Sequence, residues 1–130
     1  MQLVATGWTE SLAAAYPTVQ RLASLDSTHA LLAVQRYDRF RDLILPSRGP
    51  GAPVHLAEIA GNDDIVLTGV APASWRTSEP RARAMYALSV PSDDRRKRVV
   101  MRVKVSDVVG VLAGPELGRG GLTVDHVYDY

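Results

Sequence analysis

Residues 81–105 restrict the possible folds more than any other stretch of the chain. Two runs, Arg81 to Val90 and Lys97 to Val105, flank the turn-forming residues Ser92-Asp93-Asp94-Arg95. With Val90 set opposite Lys97, the pairs Leu88/Val99, Tyr86/Met101, Ala84/Val103 and Ala82/Val105 fall on one face. Ser89/Arg98, Met85/Arg102 and Arg83/Lys104 then fall on the other. One register sorts both arms into an apolar and a basic side, the pattern of an antiparallel pair buried on one face only.

The residues around this hairpin predict an α+β domain. Thr9 is placed to cap a helix over Glu10 to Ala15, which Pro17 ends or kinks. A restart at Pro17 aligns Val19, Leu22 and Leu25. Asp26 or Ser27 is placed to cap a longer helix, with Ala30, Ala33, Val34, Tyr37, Phe40 and Ile44 at three- and four-residue spacing. Pro46 ends it, and Ser47 to Pro53 is a connector dense in breakers. Beyond it, Val54 to Ile59 and Ile65 to Val70 read as a hairpin about Gly61-Asn62-Asp63-Asp64. Ser106 to Ala113 suits a short helix or a continued strand, Gly114 to Gly121 a loop, and Leu122 to Tyr130 a closing strand. The expected architecture is two or three N-terminal helices (residues 8–45) packed on a curved, mostly antiparallel sheet of about five strands (residues 54–130).

A length of 130 residues fits one domain spanning 1–130. A net charge of +1 gives no global pull toward nucleic acid or anionic membrane, so any electrostatic recognition has to be local. The absence of cysteine removes disulfide, thiolate-metal and cysteine-nucleophile chemistry and suits the cytoplasm. Met1 to Trp8 lacks the regions of a secretory signal, and no apolar run reaches the roughly 20 residues of a membrane span. Arginine far outnumbers lysine, which fits a GC-rich bacterial genome.

No motif fixes a reaction. His29, His55 and His126 lack zinc-motif spacing, and no cofactor or metal is expected. Alternation along the last strand sets His126 on an apolar side with Leu122, Val124 and Tyr128. There it is either a core histidine or an acid/base group. Asp125 points to the opposite face unless a bulge intervenes. Glu58, in a largely apolar strand, is either an outward edge residue or a carboxyl with raised pKa. Gly118-Arg119-Gly120-Gly121 lacks the following helix that a phosphate cradle needs.

Arg81, Arg83, Arg98, Arg102 and Lys104 form the one clustered feature, with Trp75 in the preceding loop. Opposed like charges need a neutraliser, and Asp125 and Asp129 on the closing strand are internal candidates. The leading expectation is a non-catalytic binding or regulatory module that engages a protein partner through this basic face or a sheet edge, with homodimerisation as one option. The alternative is a small enzyme or ligand carrier. In it Trp75, Tyr86, Met101, His126 and Tyr128 line a pocket between helices and sheet, with His126, Tyr86, Tyr128 and Glu58 as its chemistry. Nucleic-acid binding ranks third, because the basic residues lack an interleaved aromatic platform.

Overall fold

The computed structural model describes residues 1–45, 54–115, 117 and 121–128. It corrects the expected α+β architecture. Its described residues form two antiparallel sheets of four strands each and three short helices. The first sheet holds β1 (Gln2–Thr6), β2 (Gln20–Ser24), β3 (His29–Ala33) and β4 (His55–Ile59), in the order β2-β3-β1-β4. The second holds β5 (Asp64–Pro72), β6 (Ala82–Val90), β7 (Asp93–Lys104) and β8 (Thr123–Tyr128), in the order β6-β7-β5-β8. The helices are α1 (Glu10–Ala15), α2 (Asp38–Ile44) and α3 (Val108–Ala113), the last entered through a 3-10 turn over Val105–Asp107. The helical option for Ser106 to Ala113 is therefore the one realised.

Of the N-terminal helices, only the first stands where the sequence places it. Thr9 caps α1 by accepting the Leu12 amide at 3.3 Å, and the helix ends at Tyr16, before Pro17. The restart at Pro17 is instead the edge strand β2. The long helix from Asp26 is replaced by β3 and the seven-residue α2. In β3 the apolar run is continuous, so it satisfies a period of two as well as one of 3.6. Ala30 and Leu32 are buried and Leu31 and Ala33 half-buried, and pairing with β1 and β2 on both sides settles the choice. Asp26 does accept two backbone amides, from Thr28 and His29 at 2.7 Å each. That is the bonding of a helix cap, spent here on the turn between β2 and β3.

The strands β4 and β5 are also where the sequence sets them, but they are not a hairpin. Ala60 and Gly61, both with positive φ, make a tight turn closed by the single bridge Ile59–Asn62, and the two strands then enter different sheets. β5 becomes the centre of the second sheet. Ile65 to Gly69 is buried throughout, as a strand covered on both faces should be. One core joins the sheets: Leu3, Leu32 and Ile59 meet Leu67, Met101 and Val103, with Leu43 of α2 and Val111 of α3 packed among them. The connector 47–53, Gly118 to Gly120 and Asp129 lie outside the described residues.

Candidate functional site

The hairpin of β6 and β7 forms in a different register. The turn is Pro91-Ser92, because Val90 pairs with Asp93. Near the tip Ser89 faces Lys97, Leu88 faces Arg98 and Tyr86 faces Val100; nearer the base Ala84 faces Met101, Arg83 faces Arg102 and Ala82 faces Val103. The change between the two registers is a bulge at Met85. A bulge spends one extra residue and reverses the alternation beyond it. Ala82 is therefore buried in the core and Ala84 lies on the same side but exposed, while Tyr86 and Leu88 are moved from the apolar side to the basic one.

β8 carries a second bulge, between Thr68 and Gly69 of its partner, with Asp125 as the extra residue. Val124 and Val127 sit opposite Gly69 and Leu67 on the core side, and His126 and Tyr128 sit opposite Thr68 and Val66 on the outer side. The expectation that His126 and Tyr128 lie under the helices, on the covered side of the sheet, is thus corrected. Of the five residues proposed to line that pocket, Met101 and Trp75 are buried in the core cluster, whereas Tyr86 and Tyr128 are exposed. The His126 ring lies tilted against two tyrosine rings, its centroid 4.3 Å from that of Tyr128 and 5.7 Å from that of Tyr37. The clefts beside it measure about 30 and 50 Å³, room for a water or two. Glu58 is exposed on β4, an edge strand of the other sheet.

The outer face of the second sheet thus presents Arg83, Arg98 and Arg102 together with Tyr86, Tyr128 and Leu88. Carboxylates meet most of its cations. Arg98 is in close contact with Asp125, whose other oxygen takes the Thr68 hydroxyl at 2.7 Å. Burial pushes the Asp125 carboxyl up, but the Thr68 and Arg98 bonds outweigh it and hold the group below the usual range. Arg102 lies 3.8 Å from Asp64 and Lys104 3.9 Å from Asp63. Arg81 leaves the patch altogether. It makes a two-pronged bond to Glu79, at 2.7 and 2.9 Å, and its guanidinium lies against Gly110 of α3. Among the described residues, Arg83 alone of the five has no ion-pair partner.

A second feature is on the other side of β6. A groove of about 440 Å³ runs between the 73–77 loop and the β6–β7 hairpin, with Trp75, Ala84, Ala87 and Val99 as its apolar wall and Lys97 and Arg76 as its cations. It exists because Ala84 and Ala87 are small where the core no longer covers the hairpin. Trp75 is 9% exposed, and its carbonyl accepts from both Lys97 Nζ and Arg76. Desolvation, then the charge of Arg76, holds the Lys97 ammonium below the usual lysine range. Sequence reasoning named Trp75 but missed Lys97 and Arg76 as groove residues, because only the Met85 bulge and the fold of the loop bring them together.

Compared with protein families, with curated proteins and with solved structures, the chain matches none. Function has to be argued from the surface itself, and two features of it coincide. β6 is an edge strand, exposed from Arg83 to Ser89, and it separates the groove from the basic face. Met85, Tyr86 and Leu88 are each at least half exposed. Among the described residues no group of histidines and carboxylates is placed to hold a metal ion, and no helix is long and apolar enough to cross a membrane.

Proposed function

We propose that the protein is a non-catalytic binding module that takes a strand of a protein partner onto the free edge of β6. The observation that carries this reading is the exposure of β6 on both faces over the seven residues from Arg83 to Ser89, with three large apolar side chains at its surface. An edge strand offers a row of unpaired amides and carbonyls, and strand addition turns that row into main-chain hydrogen bonds. The flanking groove and basic face then supply side-chain selectivity. Of the other edge strands among the described residues, β2 is exposed along its five residues, whereas β4 and β8 are partly buried. The cytoplasm is the compartment we propose, since a chain without cysteine draws no stability from an oxidising environment.

A photo-crosslinking amino acid at Ser89 tests this in the cells that make the protein. A light-dependent protein adduct should form from Ser89, none should form from Gln20 on β2, and the paired reversals Arg83→Glu and Arg102→Glu should abolish it with the fold intact. Equal labelling from both strands, or none from Ser89, rejects the reading.

A second reading has an observation of its own. The Met85 bulge puts Tyr86 among Arg83, Arg98 and Arg102, the aromatic interleaving that single-stranded nucleic acid uses. It ranks lower because phosphate binding draws on unpaired cations, and Arg98, Arg102 and Lys104 each have a carboxylate beside them. Binding of an oligothymidylate that weakens steeply with salt would reverse the ranking.

A further inference from the structure

We infer that the segment received by β6 is acidic and extended, and that it seats one bulky apolar side chain in the groove beside Trp75. This rests on the reading of β6 as a strand acceptor and adds the chemistry of the occupant.

The charge distribution around β6 is the first argument. Arg83 on the outer side, and Lys97 and Arg76 on the groove side, have no ion-pair partner among the described residues. The two Trp75-bound cations are held by a carbonyl oxygen, which leaves their charge unbalanced. Each face of this edge strand therefore has at least one cation without a counter-ion, although Asp125 and Asp64 neutralise Arg98 and Arg102 farther out on the outer face. The strand itself, Ala-Arg-Ala-Met-Tyr-Ala-Leu-Ser-Val, contains no carboxylate. Pairing β6 with its copy in a second molecule would gather the cations of both chains along one seam, and like charges brought together destabilise the pair. A foreign strand carrying acids removes the conflict.

Spacing supplies the second argument. Side chains two residues apart on an added strand share a face. Ala87 and Ser89 share the groove face and stand opposite Val99 and Lys97. An occupant running along β6 thus sets one side chain over the apolar wall at Ala87 and, two residues on, another beside Lys97. The first is bulky and apolar, because the groove measures about 440 Å³ and is floored by Trp75, Ala84 and Val99. The second is a carboxylate. The side chains between and beyond them turn to the outer face, toward Tyr86 and Arg83.

The test uses the full chain with Trp8→Phe, so that Trp75 alone reports by fluorescence. Two capped nine-residue peptides are titrated, each alternating in valine and charge around a central phenylalanine, one with glutamate and one with lysine. The glutamate peptide should give a saturable change in Trp75 emission and bind at least about tenfold more tightly than the lysine peptide, the difference shrinking as salt screens it. Arg83→Glu should narrow or invert that preference, and Ala87→Phe, which fills the groove from an exposed position, should abolish binding of both peptides. Equal binding of the two peptides overturns the acidic assignment while leaving strand acceptance standing. Failure of both also overturns it, and the Ser89 crosslink separately decides whether β6 accepts any partner. A Trp75 response to oligothymidylate alone, or a dimer that shields Trp75 without peptide, overturns it equally.

Discussion

Tyr37 has φ 65° and ψ −114°, a conformation that suits the first central residue of a type II′ turn and therefore glycine. Such strain costs on the order of 1–3 kcal/mol. We expect Tyr37→Gly to raise stability by about 1 kcal/mol, seen as a higher urea midpoint at unchanged slope. A decrease would mean that the ring's contact with His126 outweighs the strain. Glu79 is the second informative residue. The bond from the Arg81 side chain, then that from the Arg81 amide, lowers its carboxyl from an ordinary 4.5 to about 2. A depressed carboxyl stabilises the fold above its unfolded pKa, and that contribution is lost as pH falls through the folded value. Urea melts between pH 5 and pH 2 should show wild-type stability falling, with Glu79→Gln losing part of that fall. Parallel curves would show that the Glu79–Arg81 bond contributes no net stability.

At the scale of elements, the two bulges decide what the second sheet displays. At Gly69, on β5 beside the β8 bulge, an added Cβ would lie 2.6 Å from the Thr123 carbonyl oxygen and 3.0 Å from a Leu122 methyl. Backbone oxygen cannot yield as a side chain can. We expect Gly69→Ala to cost about 1–3 kcal/mol, the usual range for overpacking, and to loosen β8 first. Amide exchange should then accelerate at Val124 to Val127 more than in β7. Uniform acceleration would show that the sheet opens as one unit. The Met85 bulge acts on the surface that β6 displays. An uninterrupted ladder would leave Tyr86 and Leu88 with Ala84 on the core side, whereas the extra residue adds them to the outer face with Arg83.

The whole molecule has a single core contributed by both sheets. Its two tryptophans report on separate parts of it: Trp8 packs near the first sheet, just after β1, and Trp75 beside the hairpin of the second. Single-tryptophan variants should therefore unfold in urea with superimposable transitions, as one cooperative unit does. Two separated midpoints would mean that the sheets fold as independent halves. Leu67→Ala removes a fully buried side chain from the middle of β5. It should cost about 2–5 kcal/mol and shift both probes together.

What the sequence determined by itself is local. The Thr9 cap and the stop before Pro17 depend on groups within a few residues of one another, and the β6–β7 hairpin on two strands joined by one turn; the helix expected from Asp26 did not form, although that carboxylate still takes nearby amides. The pairing of Arg98 with Asp125 was expected from opposite charges on one polar face, but it reaches across β5, which lies between β7 and β8, so the closing strand does not pair beside Arg98 as the sequence suggests. Tertiary structure decided the rest. Residues 29–34 suit a helix or a strand by periodicity, and only the hydrogen-bonding edges of β1 and β2 make them a strand. β4 and β5 are neighbours in sequence but belong to different sheets, since which edge a strand joins depends on partners far along the chain. The bulges at Met85 and Asp125 leave no mark in the alternation of either strand. They arise where twist and packing of the assembled sheet require one residue more on one strand than on its partner. They turn Tyr86, His126 and Tyr128 outward, and with that they decide which side chains the outer face of the second sheet presents.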